Sequence, residues 1–508
     1  MAMCQSLDSR GIWRAALAAT VAAGLASTWL KPLNHDVAWF LHAAGRMLDG
    51  ARLYVDLIDP NPPAIFYLTA LPVWLARGVG LAPHHLFFAM VAGLAMASLA
   101  LGGALLAHDR GLGAPVRYAT LIALAAALLI LQPAEFGQRE HLALILIAPY
   151  CCCAYLAGVG AAPTMAQRLA AGALAGMAAT LKPHFLVPLL ALEIAVCLRR
   201  RDPRAAFRPE GLVVLGIQAA YLLHLPWFAG AYLAEVVPLA LGQYGAYDSD
   251  LWTMLAGAKV WPTILGSLAV YALAGPGDGG VLARTLLLAG LGFAAGFLIQ
   301  GKGWDYQLMP AFALAVAGMA AALAARLTGD AAPGRRRAAV TWAAAGLAAL
   351  LPAAAAWTAA SDYRRLAAGR YPPVVEQLVA VLRASASGEP VFFLSSSVPP
   401  AFPAVTLSGA RWPYRYNCLW PLPGFYRANA AGDAGERRFT GQVVDDLVAA
   451  PPAILAIDVA RDKQAFGGVA IDYLAYFARD ARFAELWKTY RHLTDIGSFR
   501  LYRRIEGA

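Results

Sequence analysis

Charge is scarce in this chain. Only 14% of its 508 residues are Asp, Glu, Lys or Arg, 60% are hydrophobic, and the mean hydropathy is +0.55. Soluble domains carry about 25% charged residues, so the composition excludes an ordinary soluble enzyme. The charge that remains leans positive, with 41 Lys and Arg against 31 Asp and Glu. Much of that excess is Arg in short connections between apolar runs, which membrane topology explains without a nucleic-acid partner. Six cysteines are present, and no spacing among them suggests zinc or a disulfide framework. Cys151, Cys152 and Cys153 fall inside one apolar run and read as small packing residues; Cys197 ends another, Cys4 precedes the first, and Cys418 lies far downstream. There is no P-loop fingerprint and no clear internal repeat. The interiors of most apolar runs are free of charge, Glu193 lying near an end. A midplane transport site needs ionisable residues and broken helices there.

Long apolar runs are what the chain has in their place. Runs of roughly 20 residues, enough for a ~30 Å hydrocarbon core, recur at 12–30, 84–107, 115–132, 142–160, 168–181, 184–198, 211–228, 253–273, 282–299, 308–326 and 338–358. The first follows Arg10 and Arg14 and lacks a clean cleavage site before Lys31, so it reads as an uncleaved helix with a cytoplasmic N-terminus. Threading these spans alternately puts the Arg clusters at 110–117, 199–208 and 326–337 in the cytoplasm, as the positive-inside rule asks. The count of about eleven holds if 63–80 is interfacial or re-entrant. Pro62-Pro63 opens that stretch, Pro72 interrupts it and Arg77 closes it. In the long first outer loop, Val37, Leu41, Ala44 and Leu48 recur at helical spacing, with Asp36 placed to cap that amphipathic helix.

Beyond about Ser361 the composition turns towards a soluble domain. Helix-like stretches at 373–386 and 441–449 precede apolar strands at 391–394 and 453–458, and 499–504 alternates like a half-buried strand. The expected class is an α-helical polytopic membrane protein of about eleven spans, residues 1–360, with a small C-terminal α/β domain, 361–508, outside the cytoplasm.

This threading gathers the chemistry-bearing residues on the outer face. Asp36 sits just past the first helix, where a carboxylate at the water edge suits proton abstraction; a helix cap is the plain alternative. Glu135, Arg139, Glu140 and His141 crowd one short loop, as a solvated ion pair or as groups that hold a sugar and assist Asp36. Lys182, in Leu181-Lys182-Pro183-His184, is a cation held near the acyl boundary, suited to snorkelling or to a phosphate. Lys302 lies between Gly301 and Gly303 beside Trp304 and Tyr306, where backbone N–H groups can approach an anion and aromatics sit at headgroup level. Tyr244, Tyr247, Asp248, Asp250 and Trp252, in an expected loop over 229–252, suit carbohydrate contact or an ordinary interfacial loop.

From Asn34-His35-Asp36 through Gly50-Ala51-Arg52-Leu53-Tyr54-Val55-Asp56 to Asp59-Pro60-Asn61-Pro62-Pro63 the sequence resembles GT-C membrane glycosyltransferases. It is similar above all to the bacterial protein-mannosyltransferase-like and aminoarabinose-transferase-like branch. The resemblance covers about 30–330 and implies that Asp36 is the first-loop acid, Glu135 or Glu140 the second acid, and Lys302 with Tyr306 the late motif that meets the lipid phosphate. His35, Arg139, His141, Lys182, His184, Trp304, Tyr244 and Asp248 join them as substrate-binding candidates. Many members carry two adjacent acids in the first loop; here the neighbour is His35, which weakens any metal-bridging role, and no cofactor is implied. The resemblance implies inverting transfer from a polyprenyl-phosphate sugar to a glycan, lipid or protein acceptor outside the inner membrane. A polar-lipid flippase, a non-catalytic assembly protein and a GT-C ligase acting on a lipid diphosphate are the rivals.

Overall fold

The computed structural model describes residues 9–131, 133–328, 356–357, 359–428 and 432–505. The expected span at 338–358 lies almost wholly outside them, as do Cys4 and the arginines at 335–337. Two compact units emerge: Met1–Lys31, His85–Leu223 and Ser249–Ala368 form one, and Pro32–His84, His224–Asp248 and Gly369–Ala508 the other.

The first unit is helical. Its principal helices are Ser9–Ser27, Pro83–Leu106, Ala114–Leu129, Arg139–Val159, Met165–Leu181, Leu186–Arg200, Pro209–Phe228, Val260–Leu273, Asp278–Gln300 and Met309–Thr328, a helix lying at each expected span among the described residues. Among the described residues, five helical segments are long and apolar enough to cross a membrane. Arg139–Val159 is apolar all round and buried along almost its whole length, which marks it as the helix the others surround within this unit. Glycine lets some neighbours approach closely: a Cβ at Gly292 would stand 2.4 Å from the Pro188 Cα. That contact seats Asp278–Gln300 against Leu186–Arg200 and so fixes the turn that precedes Pro188. Glu193 is held by Arg208 (2.7 Å) and the Tyr150 hydroxyl (2.6 Å), while Glu210 is held by Arg208 and Arg168 (both 2.8 Å). Two carboxylates and two guanidinium groups cancel there, and the cluster reads as a clamp between helix ends.

Two expectations fail locally. The run 253–273 is not one helix: Asp250 caps a short Leu251–Leu255 helix by accepting from Trp252 and Thr253 N–H, and a new helix starts at Val260. Gly257 and Lys259 separate the pieces. The expected 229–252 loop is largely helical, as a π-turn at Tyr232–Val236, a helix at Val237–Gln243 and a 3-10 turn at Tyr244–Tyr247. Pieces of one or two turns are too short to show a period in sequence.

The second unit builds a four-stranded sheet in the order β1-β2-β4-β3, from β1 Val391–Leu394, β2 Ile454–Asp458, β3 Tyr490–Ile496 and β4 Phe499–Arg504. β1 and β2 run parallel, with Phe392 opposite Leu455, and helices Ala401–Ser408, Leu422–Arg427 and Ala434–Ala449 fall in the crossover that a parallel pair requires. β4 lies antiparallel to both β2 and β3. Pro373–Ala386 packs on this sheet through Val375, Leu378 and Leu382. In the same unit, His35–Leu48 sits between Ala64–Val79 and Ala401–Ser408. The expected stripe of Val37, Leu41 and Ala44 is buried, but so are Ala38, Trp39, Phe40 and Ala43. This helix is enclosed by protein on nearly every side rather than laid on a membrane surface. Ala64–Val79 continues through Pro72 for 16 residues, about 24 Å at helical rise.

Candidate active-site residues in the two units

In the second unit, the chain entering His35–Leu48 decides what Asp36 does. Asn34, not Asp36, is the N-cap: its side-chain oxygen accepts from the Asp36 N–H at 2.9 Å. Asp36 therefore occupies the first turn, where the unpaired N–H groups of a helix start favour a negative side chain. Its carboxylate lies 3.6 Å from His35 Nε2 and is mostly buried.

Asp59 was not singled out by the sequence, yet it accepts four hydrogen bonds in this unit. It is fully buried and accepts from Trp39 Nε1 (2.8 Å), Asn61 N (2.8 Å), Asn61 Nδ2 (2.6 Å) and Asn417 Nδ2 (3.1 Å). The segment Arg411–Trp420 lies against the 42–61 stretch around this node. The Ile58 N–H donates to the Arg415 carbonyl (2.8 Å), Arg46 donates to the Tyr414 carbonyl (2.6 Å), and His42 Nε2 meets the Trp412 carbonyl (2.9 Å). Burial, only partly offset by that carbonyl, pushes the His42 imidazole down to about 4, so it stays neutral at ordinary pH. Tyr54 adopts a left-handed φ of 69°, uncommon for a bulky residue. Its hydroxyl donates to the Asn61 carbonyl (2.6 Å) and its ring lies 4.7 Å from that of Tyr232. Asp56 closes an exposed turn with Arg52 (3.2 Å). Tyr244 lies edge-on to Trp420, the Tyr247 hydroxyl donates to the Ser396 carbonyl (2.9 Å), and Asp248 is exposed. The structure thus assembles Asp36, the Gly50–Asp56 motif, the Asp59–Pro63 motif and part of the C-terminal region in one unit.

In the first unit, the 133–141 segment folds on itself. His141 Nδ1 accepts from the Gly137 N–H (3.0 Å) while Nε2 donates to the Leu128 carbonyl (2.9 Å). With both ring nitrogens occupied and the ring buried, His141 shapes the loop that presents its neighbours. Glu135 stays half-exposed in a 3-10 turn.

Glu140 and Lys182 form a buried ion pair at 2.5 Å. The Lys182 ammonium also donates to Gln300 Oε1 (3.3 Å), which accepts from Gln307 Nε2 (2.9 Å), and it lies 5.8 Å from the Tyr306 ring centre. Tyr306 stacks on Trp304 at 5.9 Å. Arg139 is buried beside them. Glu140 Oε2, Gln307 Oε1 and His184 Nε2 are buried without a hydrogen-bond partner among the described residues. Buried polar atoms in native proteins are normally satisfied, so three such atoms in one cluster leave acceptor and donor capacity for something that binds there. The Gly301–Trp304 strap, with Gly301 and Gly303 at φ 65° and 68°, carries Lys302; its carbonyl accepts from the Ser249 hydroxyl (3.0 Å).

Lys31 was also missed. It is buried, contacts Ser27 Oγ and Thr28 Oγ1 (both 3.4 Å), and lies 4.2 Å from the Phe136 ring centre. Burial lowers its pKa to about 7. A lysine closing an apolar helix looks like an ordinary snorkelling residue in sequence, and only packing shows otherwise.

No protein-family model and no curated protein matches the sequence. Solved structures do. ArnT from Cupriavidus metallidurans bound to undecaprenyl phosphate superposes with a TM-score of 0.57 at 14% identity, over 98% of this chain and 99% of that one. The same protein in the apo state gives 0.51 at 13% identity over 96% and 97%. A weaker likeness is to the archaeal oligosaccharyltransferase AglB from Archaeoglobus fulgidus, with a TM-score of 0.44 at 12% identity over 97% of this chain and 74% of that one. At such identities the likeness is one of fold, and the chain has the GT-C membrane glycosyltransferase fold that its motifs implied.

Proposed function

We propose that the chain is an inverting glycosyltransferase that moves a sugar from a polyprenyl-phosphate donor to an envelope lipid, glycan or protein acceptor at the outer face of the bacterial inner membrane. The observation that carries this reading is the Lys182 cluster. A buried Lys182–Glu140 pair stands beside three polar atoms without a partner among the described residues, and that arrangement suits a phosphate that arrives and leaves. Support for the donor class comes from ArnT, whose likeness spans nearly the full length of both chains and which was solved with undecaprenyl phosphate bound.

In this reading the acceptor hydroxyl attacks the anomeric carbon as the bond from that carbon to the phosphate oxygen breaks. The proton passes to the Asp36 carboxylate, and the bonding pair leaves with the polyprenyl phosphate. Lys182, Arg139 and Lys302 offset the charge that develops on it, and Trp304 and Tyr306 hold the headgroup end of the lipid. General-base help is typically worth ~10²–10⁴ in rate, and preorganised charge at a leaving oxyanion contributes about as much again. Glu140 tempers the lysine so that phosphate departs.

The test is mass spectrometry of envelope lipids and glycans from wild-type, gene-deleted and Asp36→Asn strains. Loss of one sugar unit in both mutants, with the Asn variant inserted at normal levels, supports the reading. Unchanged glycans in the deletion strain would overturn it, and loss in the deletion strain alone would remove Asp36 from the chemistry.

A further inference from the structure

The C-terminal part of the second unit contains a cleft that none of the residues above uses. It has a volume of about 640 Å³ and is bounded by the end of the Leu422–Arg427 helix, the start of Ala434–Ala449, and the 466–479 segment. That volume falls within the ~300–1,000 Å³ usual for small-ligand sites.

The lining has a definite chemistry. Tyr426 and Phe466 meet edge to face at 5.5 Å, and Tyr476 lies under the Arg479 guanidinium at 4.0 Å. Glu436 is the acid in the lining, and it is already engaged: Arg479 Nη2 donates to it at 2.6 Å, the Gly432 N–H at 3.1 Å, and the Tyr476 hydroxyl donates to the same carboxylate. Arg479 and Glu436 therefore neutralise each other. Arg427 is different. One of its nitrogens donates to the Ala246 carbonyl at 2.8 Å, which anchors the side chain, and it forms no ion pair among the described residues, Glu436 being taken by Arg479. Its remaining N–H groups form the planar fork that recognises phosphate and carboxylate oxygens in pairs. At Gly467 the wall carries no side chain; a Cβ there would stand 3.8 Å from Arg427 Nε, and φ is 70°, which glycine adopts without strain. The guanidinium is thus left bare on that side. One uncompensated, anchored guanidinium beside aromatic faces selects an anion that also carries a body with flat apolar patches.

We infer that this cleft binds an anionic saccharide, with Arg427 gripping its phosphate or carboxylate and Tyr426 and Phe466 lying against a sugar face. The choice of a saccharide over another anionic organic group rests on the glycosyltransferase reading, under which an acceptor glycan reaches this domain. The cleft is then an acceptor-holding subsite on the C-terminal domain.

The experiment uses the full-length protein in detergent and in nanodiscs, with ligand-observed NMR titration of glucose 6-phosphate, glucose and inorganic phosphate. Glucose 6-phosphate should bind about tenfold tighter than either glucose or phosphate, as expected when a charge-assisted fork and a sugar contact act together. Arg427→Gln should bring it down to the glucose level, and Tyr426→Ala should bring it down to the phosphate level. Arg427→Lys keeps the charge without the fork and should fall between. Unchanged affinity in Arg427→Gln overturns the inference, as does equal binding of inorganic phosphate, which would mark a simple anion contact. Competition by phosphatidylglycerol nanodiscs overturns the saccharide assignment in favour of a lipid headgroup. Asp36→Asn should bind glucose 6-phosphate like the wild type. A failed transfer assay with intact binding therefore sinks the proposed reaction and not the cleft, and lost binding with intact transfer does the reverse.

Discussion

Asp59 and Glu140 are both buried carboxylates, one in each unit, and their surroundings differ in kind. Asp59 accepts from three side-chain and backbone partners of neighbouring chain and one from far downstream, all of them neutral donors. Glu140 has one strong partner, a cation, and an oxygen left over. The first arrangement is saturated and gains nothing from a ligand. The second is incomplete by itself, and its charge balance changes when an anion arrives. Burial alone would rank the two acids together; the tally of donors separates a satisfied carboxylate from one with an oxygen to spare.

Substitutions test that separation. Asp59→Ala strands the Trp39, Asn61 and Asn417 donors in the interior and should cost about 4–5 kcal/mol. Thermal unfolding in detergent should show the variant unfolded or nearly so, and a melting temperature within a few degrees of wild type would refute the scaffold role. Lys182→Met comes next. It leaves Glu140 charged and alone, which should cost about 3–4 kcal/mol. Adding Glu140→Gln should restore most of that stability without restoring sugar transfer. Recovery of activity in the double variant would make the pair structural and erase the contrast with Asp59.

The smallest effect belongs to Lys31. Its pKa falls from 10.5 to about 7 on burial, so between those values the unfolded chain holds a proton that the folded chain has lost. Stability then rises with pH across about 7 to 10, and the penalty for charging the buried amine is fully present below 7. Lys31→Met should raise the melting temperature by a few degrees at pH 6 and leave it nearly unchanged at pH 10. A pH-independent difference would mean the amine is solvated.

Some of this was legible in the chain and some was not. The helix at 373–386 and the strands at 391–394 and 499–504 appear with the boundaries their periodicity gives, since each carries its own apolar signal. β3 escaped notice because Tyr490–Ile496 buries only its two ends and so shows no alternation. Asn34 displaced Asp36 as the helix cap because both residue types cap well and one position decides between them. Arg139, Glu140 and Lys182 stood out as charges in an apolar chain, but the 2.5 Å pairing of residues 42 positions apart is set by helix packing that no local pattern reveals. Asp59 entered only as the first residue of the Asp59–Pro63 motif, and its partner Asn417 carries no signal at all.

The Asp59–Asn417 contact joins residues 358 positions apart, and that separation sets a timetable for synthesis. At roughly 5–20 residues per second, a ribosome that has just made Asp59 needs roughly twenty to seventy seconds more to make Asn417. Throughout that interval Trp39, His42 and the Asp59 turn lack the segment that later covers them. The segment around Asp59 is therefore delivered early and completed last, so nascent chains truncated before about residue 420 should display it to protease while full-length chains protect it.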